Sequence, residues 1–306
     1  MKAIFKKKLA LPAVYQFALS SGGNRLAVIG RNVVMTDPSR MARLYSCHPV
    51  SHPSYTAFSP DGATLAVKST SGRILLLAVE SGEVILDFTN KTDGEGAAVA
   101  FSACGRYLVD ASWNGQIIIR DALCQLSDTR HTFAGEMIVG VLSSSDRSTW
   151  VFVHQPIATS QTEPAAPAYI TVWKWPLTEY RKLAPKIRTR SAELSPDGKV
   201  VAIADDSQVQ FLLLADGAVL KSAPVERCRG IRWSPDGTLV ALVLQSSIAV
   251  YAFPSYEPVD VFEQEFASDI CFALDNSFVA VGGWSAGIVR RFDGRQANAD
   301  SRANSP

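Results

Sequence analysis

Short apolar runs separated by turn residues fill this chain, and their length and alternation are typical of β-strands. The clearest turn is Ser59-Pro60-Asp61-Gly62, between the apolar runs Tyr55–Phe58 and Ala63–Val67. It returns as Ser195–Gly198 and Ser234–Gly237. Proline presets the backbone of a type I turn, and glycine takes the left-handed conformation that closes a bulged hairpin. Each copy therefore predicts two antiparallel strands joined by a tight turn.

The hairpin recurs along the whole chain at a nearly constant spacing. With weaker copies included, its second residue is Ser20, Ser59, Ser102, Ser143, Ser195, Ser234 and Ala273. Successive copies are 39, 43, 41, 52, 39 and 39 residues apart. A repeat near this length with four strands per unit is typical of a β-propeller. The sequence therefore predicts an all-β fold, a seven-bladed β-propeller.

One interval is longer than the others because the fourth unit carries an insertion. Residues 155–168 contain three prolines and no hydrophobic period, so we expect a mobile loop there. Small and branched residues alternate in the second strand of the units, for example in Leu65-Ala66-Val67. Both faces of such a strand are expected to be buried between neighbouring sheets.

The ends of several third strands carry a resemblance to a known family. Arg120-Asp121, Met35-Thr36-Asp37 and Arg291-Phe292-Asp293 stand where a Trp-Asp pair ends the third strand of a WD40 repeat. With the repeat length, they make almost the whole chain resemble a WD40-repeat protein with degenerate repeats. No Gly-His pair opens a blade, so the family's buried Asp-His-Ser-Trp network is not expected. Periplasmic propellers of the TolB type also use Ser-Pro-Asp-Gly hairpins, and that subfamily stays open.

The two ends of the chain predict how the ring closes. Ala3–Leu9 has no hairpin partner of its own. The seventh unit, in contrast, has no apolar run after its third strand that could form its outer strand. We expect Ala3–Leu9 to complete the last blade, because closure removes open sheet edges. The predicted organisation is one propeller over residues 1–293 and a flexible tail over 294–306. Lys6–Lys8 is then a solvated outer strand, with a nucleic-acid or membrane patch as the alternative.

Composition narrows the class of protein and its compartment. Hydrophobic residues make up 47% of the chain and charged residues 19%, as in a folded β protein. The formal net charge of +1 provides no long-range field, so we expect neither nucleic acid nor membrane as a partner. The five cysteines form no Cys-x-x-Cys pair, which favours reduced thiols in the cytoplasm.

The first twenty residues allow a second interpretation of the cellular compartment. Lys6–Lys8 precedes an apolar stretch over residues 9–20 that imitates a signal peptide, which would make the protein periplasmic or secreted. Pro12, Tyr15 and Gln16 interrupt that stretch, and the same residues fit the inner strand of the first blade. We therefore favour a cytoplasmic protein.

Patterns for catalysis and metal binding are weak. His48 and His52 are four residues apart, but a proline follows each and excludes the helix that would place them on one face. His131 and His154 stand alone, and we interpret them as turn or surface residues. The chain has no Gly-x-Ser-x-Gly elbow and no glycine loop followed by a helix for phosphate. We predict no enzymatic activity, no cofactor and no metal.

The rim of the ring is the remaining candidate site. WD40 proteins usually bind partners on the face carrying the turns between second and third strands and the connections between blades, and the resemblance implies the same here. This assigns to a partner-binding face the residues Trp113, Trp284, Arg190, Arg229, His52, Lys68, Asp205 and Gln245. The two tryptophans stand out because Trp anchors interfaces, although each ring could instead fold over the neighbouring blade.

The predicted function is therefore a non-catalytic interaction scaffold that binds partner proteins on one face and is monomeric by itself. The alternative is a small-molecule-binding or enzymatic propeller with a site at the mouth of the central channel, because propellers perform both kinds of function. Glu193 and Asp269 are the main carboxylates of the inner strands and the candidates for such a site. Ionisable groups clustered at the channel mouth, with strongly shifted pKa values, would favour this alternative.

Overall fold

The computed structural model describes residues 3–9, 13–40, 42–88, 96–123, 128–158, 167–185, 187, 189–284 and 287–292. Twenty-eight β-strands lie in these ranges, and they pair into seven four-stranded antiparallel sheets. Six of the sheets contain four strands that are consecutive in sequence, and the seventh combines the last three strands with the first. We number the sheets in chain order.

The first four sheets have the following strands. Sheet one contains β2 (Gln16–Leu19), β3 (Leu26–Ile29), β4 (Val33–Asp37) and β5 (Ala42–Cys47). Sheet two contains β6 (Pro53–Phe58), β7 (Thr64–Ser69), β8 (Ile74–Ala78) and β9 (Val84–Phe88). Sheet three contains β10 (Val99–Phe101), β11 (Tyr107–Ala111), β12 (Gln116–Asp121) and β13 (Thr129–Thr132). Sheet four contains β14 (Glu136–Ser143), β15 (Thr149–Pro156), β16 (Tyr169–Lys174) and β17 (Tyr180–Leu183).

The last three sheets follow the same plan. Sheet five contains β18 (Ser191–Leu194), β19 (Val200–Ala204), β20 (Gln208–Leu213) and β21 (Val219–Pro224). Sheet six contains β22 (Gly230–Trp233), β23 (Leu239–Val243), β24 (Ser247–Ala252) and β25 (Pro258–Glu263). Sheet seven contains β26 (Ala267–Phe272), β27 (Phe278–Gly283), β28 (Gly287–Phe292) and, on its outer side, β1 (Ala3–Leu9).

A shared hydrogen-bond pattern explains why serine begins the hairpin between first and second strands. Ser234 Oγ donates to Asp236 Oδ1 at 2.6 Å and accepts the backbone N–H of Leu239 at 2.9 Å. Gly237 closes the turn with a φ of 72°, in the left-handed region that favours glycine. The hairpins that begin at Ser59, Ser144 and Ser195 have the same Ser-x-Asp hydrogen bonds. One serine hydroxyl thus fixes both the aspartate and the start of the next strand.

Sheet four departs from the sequence prediction in two places. Its hairpin begins at Ser144 rather than Ser143, because Ser143 is still the last residue of β14. β15 continues to Pro156, so strand pairing extends two residues into the segment predicted as a loop. Residues 159–166 of that segment lie outside the described residues, as does the predicted tail over 294–306.

The apolar core is divided into layers that lie between the sheets. One cluster joins Val243 and Ile248 of sheet six to Ile270 and Val281 of sheet seven. Corresponding clusters lie between each earlier sheet and the next, and a further cluster joins sheet seven to sheet one. The second strands β19, β23 and β27 are buried along their whole length, as predicted. Sheets packed face to face around a ring define a β-propeller, so this part of the prediction is confirmed.

The two ends of the described chain meet in sheet seven. β1 pairs antiparallel with β28, with Lys6 opposite Arg290. Next to them, the Phe17 N–H of β2 donates to Asp269 Oδ2 of β26 at 2.8 Å. The first and last sheets are therefore joined by hydrogen bonds as well as by apolar contacts.

Candidate functional site

The order of the strands gives the ring two unlike faces. Every first strand runs towards a hairpin of the Ser-x-Asp kind or a weaker copy of it, and these hairpins share what we call the hairpin face. The turns between second and third strands, and the connections from one sheet to the next, lie on the opposite side, which we call the connector face. The first strands of neighbouring sheets contact one another around the central channel that joins the two faces.

Arg147 links three sheets at the hairpin face. It stands where other hairpins have glycine, and its φ is 55°. Its guanidinium donates to the Phe101 carbonyl at 3.0 Å and to the Phe58 carbonyl at 3.2 Å, at the ends of β10 and β6. Burial lowers the pKa of Arg147. Backbone carbonyls of two neighbouring sheets are thus the partners of this cation, which suits a structural role.

A cavity of ≈ 980 Å³ lies at the connector-face end of the channel. Residues of six inner strands line it, together with turn residues of the connector face. Ligand pockets in proteins typically measure about 300–1,000 Å³, so the cavity is large enough for a small molecule or a peptide side chain. This cavity and the residues around it are the candidate functional site.

Three charged residues of neighbouring inner strands form a cluster beside the cavity, and Arg232 and Asp269 of this cluster line it. Arg232 of β22 places Nη1 2.7 Å from Glu193 Oε2 of β18 and Nη2 3.0 Å from Asp269 Oδ1 of β26. Burial raises the pKa of both carboxyl groups, and the nearby Arg232 partly opposes that effect. The carboxylates of Asp269 and Glu193 raise the pKa of Arg232 in turn. The structure therefore brings together the two carboxylates that the sequence singled out and adds the arginine between them.

The rim of the cavity carries further arginines and an aromatic pair in which the tryptophan is exposed. Arg190 lies at the start of sheet five and forms an exposed ion pair with Asp206 at 2.8 Å. Arg229 precedes β22, Arg31 lies in the turn between β3 and β4, and both line the cavity. Trp284, after β27, is 63% exposed, and its ring centroid lies 5.3 Å from that of Tyr15. His52 also lines this rim.

The other predicted rim residues lie away from the cavity. Trp113 is 41% exposed and contacts the backbone of Gly96, on the far side of the connector face from Trp284. Asp205 Oδ1 accepts the N–H groups of Ser207 and Gln208 and so caps the turn after β19. Gln245 is half-buried in the turn after β23. The cavity therefore gathers Trp284, Arg190, Arg229 and His52 from the predicted set.

The assignment of Lys68 to the partner-binding face was wrong. Its side chain is fully buried, with Nζ 2.6 Å from Asp110 Oδ1 and donating to the carbonyls of Ala97 and Ala111. β7 continues through Lys68 to Ser69 instead of ending at Val67, so the residue belongs to a strand rather than to the turn. It forms a buried ion pair between sheets two and three.

The interpretation of His154 as a surface residue was also wrong. His154 is fully buried in β15, with Nδ1 2.9 Å from Glu136 Oε2 and Nε2 2.8 Å from Thr171 Oγ1. Trp173 Nε1 donates to the same Thr171 oxygen at 2.8 Å. The Tyr169 ring stacks on the imidazole with centroids 4.5 Å apart. An acid, a histidine, a hydroxyl and a tryptophan therefore form a network in sheet four that the incomplete repeat signatures did not predict.

The alternation of polar and aromatic residues with aliphatic residues along β16 is the sequence pattern that could have indicated this network. Tyr169, Thr171 and Trp173 are two residues apart and so share one face of a strand. What the sequence could not show is that His154 pairs with Tyr169 across the sheet, which requires the register of β15 against β16.

The described residues contain neither a metal-ligand cluster nor a membrane-spanning helix. Among the described residues, no group of three or more His, Cys, Asp or Glu side chains is placed to hold a metal ion. The described cysteines Cys47, Cys104, Cys228 and Cys271 are free thiols. No helix in the described part of the chain is long and apolar enough to cross a membrane.

Comparison with known proteins supports the fold class. No protein-family model matches the chain, and no curated protein matches it in sequence. Among solved structures, it is similar to hydrazine synthase of Kuenenia stuttgartiensis, with a TM-score of 0.75 and 15% sequence identity. The similarity covers 94% of this chain and 97% of that one. At this identity the likeness establishes a shared β-propeller fold, and a fold of this kind serves many functions.

Proposed function

We propose that this protein is a non-catalytic scaffold of the WD40-repeat type, a cytoplasmic seven-bladed propeller that binds partner proteins on its connector face. The observation that supports this most is the exposed Trp284, which lies beside Tyr15 at a cavity bordered by arginines. Aromatic and arginine side chains are the usual anchors of protein interfaces. In this proposal the protein is monomeric until a partner binds.

The proposed mechanism is geometric. Each connector-face turn is held between buried strands, so little conformational freedom is lost when a partner binds. Trp284 and the neighbouring arginines would contribute most of the affinity, and the remaining contacts would exclude water around them. Pairing of β1 with β28 would close the ring and keep the turns in their relative positions.

Affinity capture from the native cell tests the proposal. Wild type is compared with the double variant Trp113→Ala, Trp284→Ala. Truncating an interface anchor costs about 2 kcal/mol or more, which is roughly thirtyfold in Kd. We therefore expect the captured partners to be strongly depleted in the variant.

Ile85→Ala is the matched control for this experiment. Ile85 is 56% exposed on the outer strand β9, away from the connector face, so its truncation removes a similar apolar surface elsewhere. The control should retain the partners. An identical captured set from wild type and the tryptophan variant would show that partners do not bind the connector face.

One observation favours a second candidate function, the binding or conversion of a small molecule in the cavity. Glu193, Arg232 and Asp269 form the cluster of ionisable groups with shifted pKa values that would suit such a site. Native mass spectrometry of protein purified from its own cells tests this candidate. A bound small molecule that is lost from Asp269→Asn would support it, whereas protein of the bare mass would favour the scaffold.

A further inference from the structure

The ionised groups at the cavity leave two arginines without a counter-ion. Arg232 is paired with Glu193 and Asp269, and Arg190 is paired with Asp206. Among the described residues, Arg31 and Arg229 have no carboxylate within ion-pair distance, yet both line the cavity. The histidines His48 and His52 lie on the same rim. Among the described residues that line the cavity, the unpaired charge is therefore positive, while the exposed Glu226 lies outside the cavity in an adjacent hollow that Arg229 also lines.

Two hydroxyl groups at the same cavity also lack a partner. Thr189 is 6% exposed, and its Oγ1 makes no hydrogen bond with any described residue. Ser54 Oγ, across the cavity on β6, is likewise unpaired and buried. A buried hydroxyl without a partner is unfavourable, so a ligand that offers an acceptor would gain from rotation of these side chains towards it. A carboxylate oxygen is such an acceptor.

The Tyr15–Trp284 pair adds an apolar surface beside the charges. Trp284 is 63% exposed although its ring leans on Tyr15. Stable contacts of an extended peptide need both an anchor for an apolar side chain and partners for its polar groups. The cavity offers both within one opening.

We infer that the cavity receives an acidic segment of the partner protein, with carboxylates on Arg31 and Arg229 and an apolar side chain on Trp284. The unpaired hydroxyl of Thr189 serves the same carboxylates. This inference rests on the proposed function, because it specifies which kind of partner binds the connector face. Lysine-rich or neutral segments would meet only like charge or unpaired arginines and are disfavoured.

Fluorescence anisotropy with a labelled decapeptide tests the inference. The acidic peptide contains Asp and Glu around two leucines. The neutral control peptide has the same sequence with every Asp replaced by Asn and every Glu by Gln. We expect the acidic peptide to bind more tightly, and binding to weaken as NaCl is raised, because rim charges are screened. The double variant Arg31→Ala, Arg229→Ala should weaken binding about tenfold or more, a loss of the kind expected for close charge pairs.

Arg73→Ala is the matched control for the arginine variant. Arg73 is a half-exposed arginine that pairs with Asp87 of the outer strand β9 and does not line the cavity, so its loss removes one charge outside the cavity. The control should bind the acidic peptide as wild type does. Equal binding of the acidic and neutral peptides, or equal binding by wild type and the double variant, would overturn the inference.

Two further results separate this inference from the proposed function. If glutarate binds at the arginines while the acidic peptide does not, the inference is overturned in favour of a small-molecule ligand. If captured partners depend on Trp284 but survive the loss of Arg31 and Arg229, the inference fails and the scaffold function stands. If capture is unchanged in the double variant Trp113→Ala, Trp284→Ala, the proposed function itself fails.

Discussion

His154 shows at the residue scale how burial sets the chemistry of a side chain. Burial lowers the pKa of His154, while the nearby Glu136 carboxylate partly opposes that effect. The imidazole is therefore held neutral between an acid and a hydroxyl, where it can satisfy both neighbours at once. This arrangement stabilises sheet four and leaves the histidine inaccessible to a partner.

The lowered pKa predicts how stability depends on pH. Below about pH 6.5, the ordinary histidine value, the unfolded chain takes up a proton that the folded chain binds less readily. The contribution of His154 to the free energy of unfolding is therefore complete above that pH and is lost as the pH falls. The stability difference between wild type and His154→Gln should shrink from pH 7.5 to pH 5.5, as measured by urea unfolding.

Comparison with His154→Gln isolates this residue, because the other titrating groups are the same in both proteins. They include Glu193 and Asp269, whose raised pKa values act in the opposite direction. A difference that stayed constant across this pH range would mean that folding does not change the proton affinity of His154.

The Ser-x-Asp hairpin is the element that repeats through the molecule. Its serine hydroxyl holds a carboxylate on one side and the first N–H of the following strand on the other. The hydrogen bond from Ser59 lowers the pKa of Asp61, so the aspartate remains ionised and a good acceptor. The hydrogen bonds of the serine hydroxyl thus explain why Ser and Asp recur in the hairpins between first and second strands.

Removing one such hydroxyl should destabilise the protein measurably. Ser234 is fully buried, so Ser234→Ala leaves the N–H of Leu239 without its acceptor. We expect a loss of about 1–3 kcal/mol in the free energy of unfolding, measured by urea denaturation. Ser207→Ala is the control, because that serine makes a similar bond to Asp205 in an exposed turn and should cost at most about 0.5 kcal/mol. Equal losses would show that the buried hydroxyl has no special role.

At the scale of the whole molecule, β1 joins the start of the chain to its last sheet. It is the outermost strand of that sheet, so its removal would expose the edge of β28 rather than two separate edges. An open β-strand edge is a template for pairing with other chains. Deletion of residues 1–9 should therefore lower the melting temperature and promote aggregation, as followed by light scattering during a thermal scan.

Proline substitutions test the same pairing without shortening the chain. Adjacent residues of an antiparallel strand alternate in pointing their N–H towards the partner, so Lys6→Pro with Lys7→Pro removes at least one ladder donor. The loss of about 1 kcal/mol per bond should lower the melting temperature by roughly 2–4 °C. Lys6→Ala with Lys7→Ala keeps the backbone donors and should melt as wild type does. Identical melting of all three proteins would refute closure through β1.

The recurring turn chemistry allowed much of the fold to be predicted from the sequence. Pro, Asp and Gly restrict their own backbone angles, so hairpins, second strands and the repeat could be read from neighbouring residues. Glu193 and Asp269 were recognisable as carboxylates on inner strands. The sequence also assigned Trp284, Arg190, Arg229 and His52 to the rim, and all four line the cavity.

Only the tertiary structure decided which side chains of different strands and sheets meet. Lys68 was misplaced because one more strand residue moves a side chain from a turn into a layer between sheets. The contacts of His154 depend on the register of β15 against β16. The contacts of Arg232 with Glu193 and Asp269 depend on the order of the sheets around the ring. Turn geometry depends on a few adjacent residues and is local, whereas these contacts depend on strand register and on the packing of one sheet against the next.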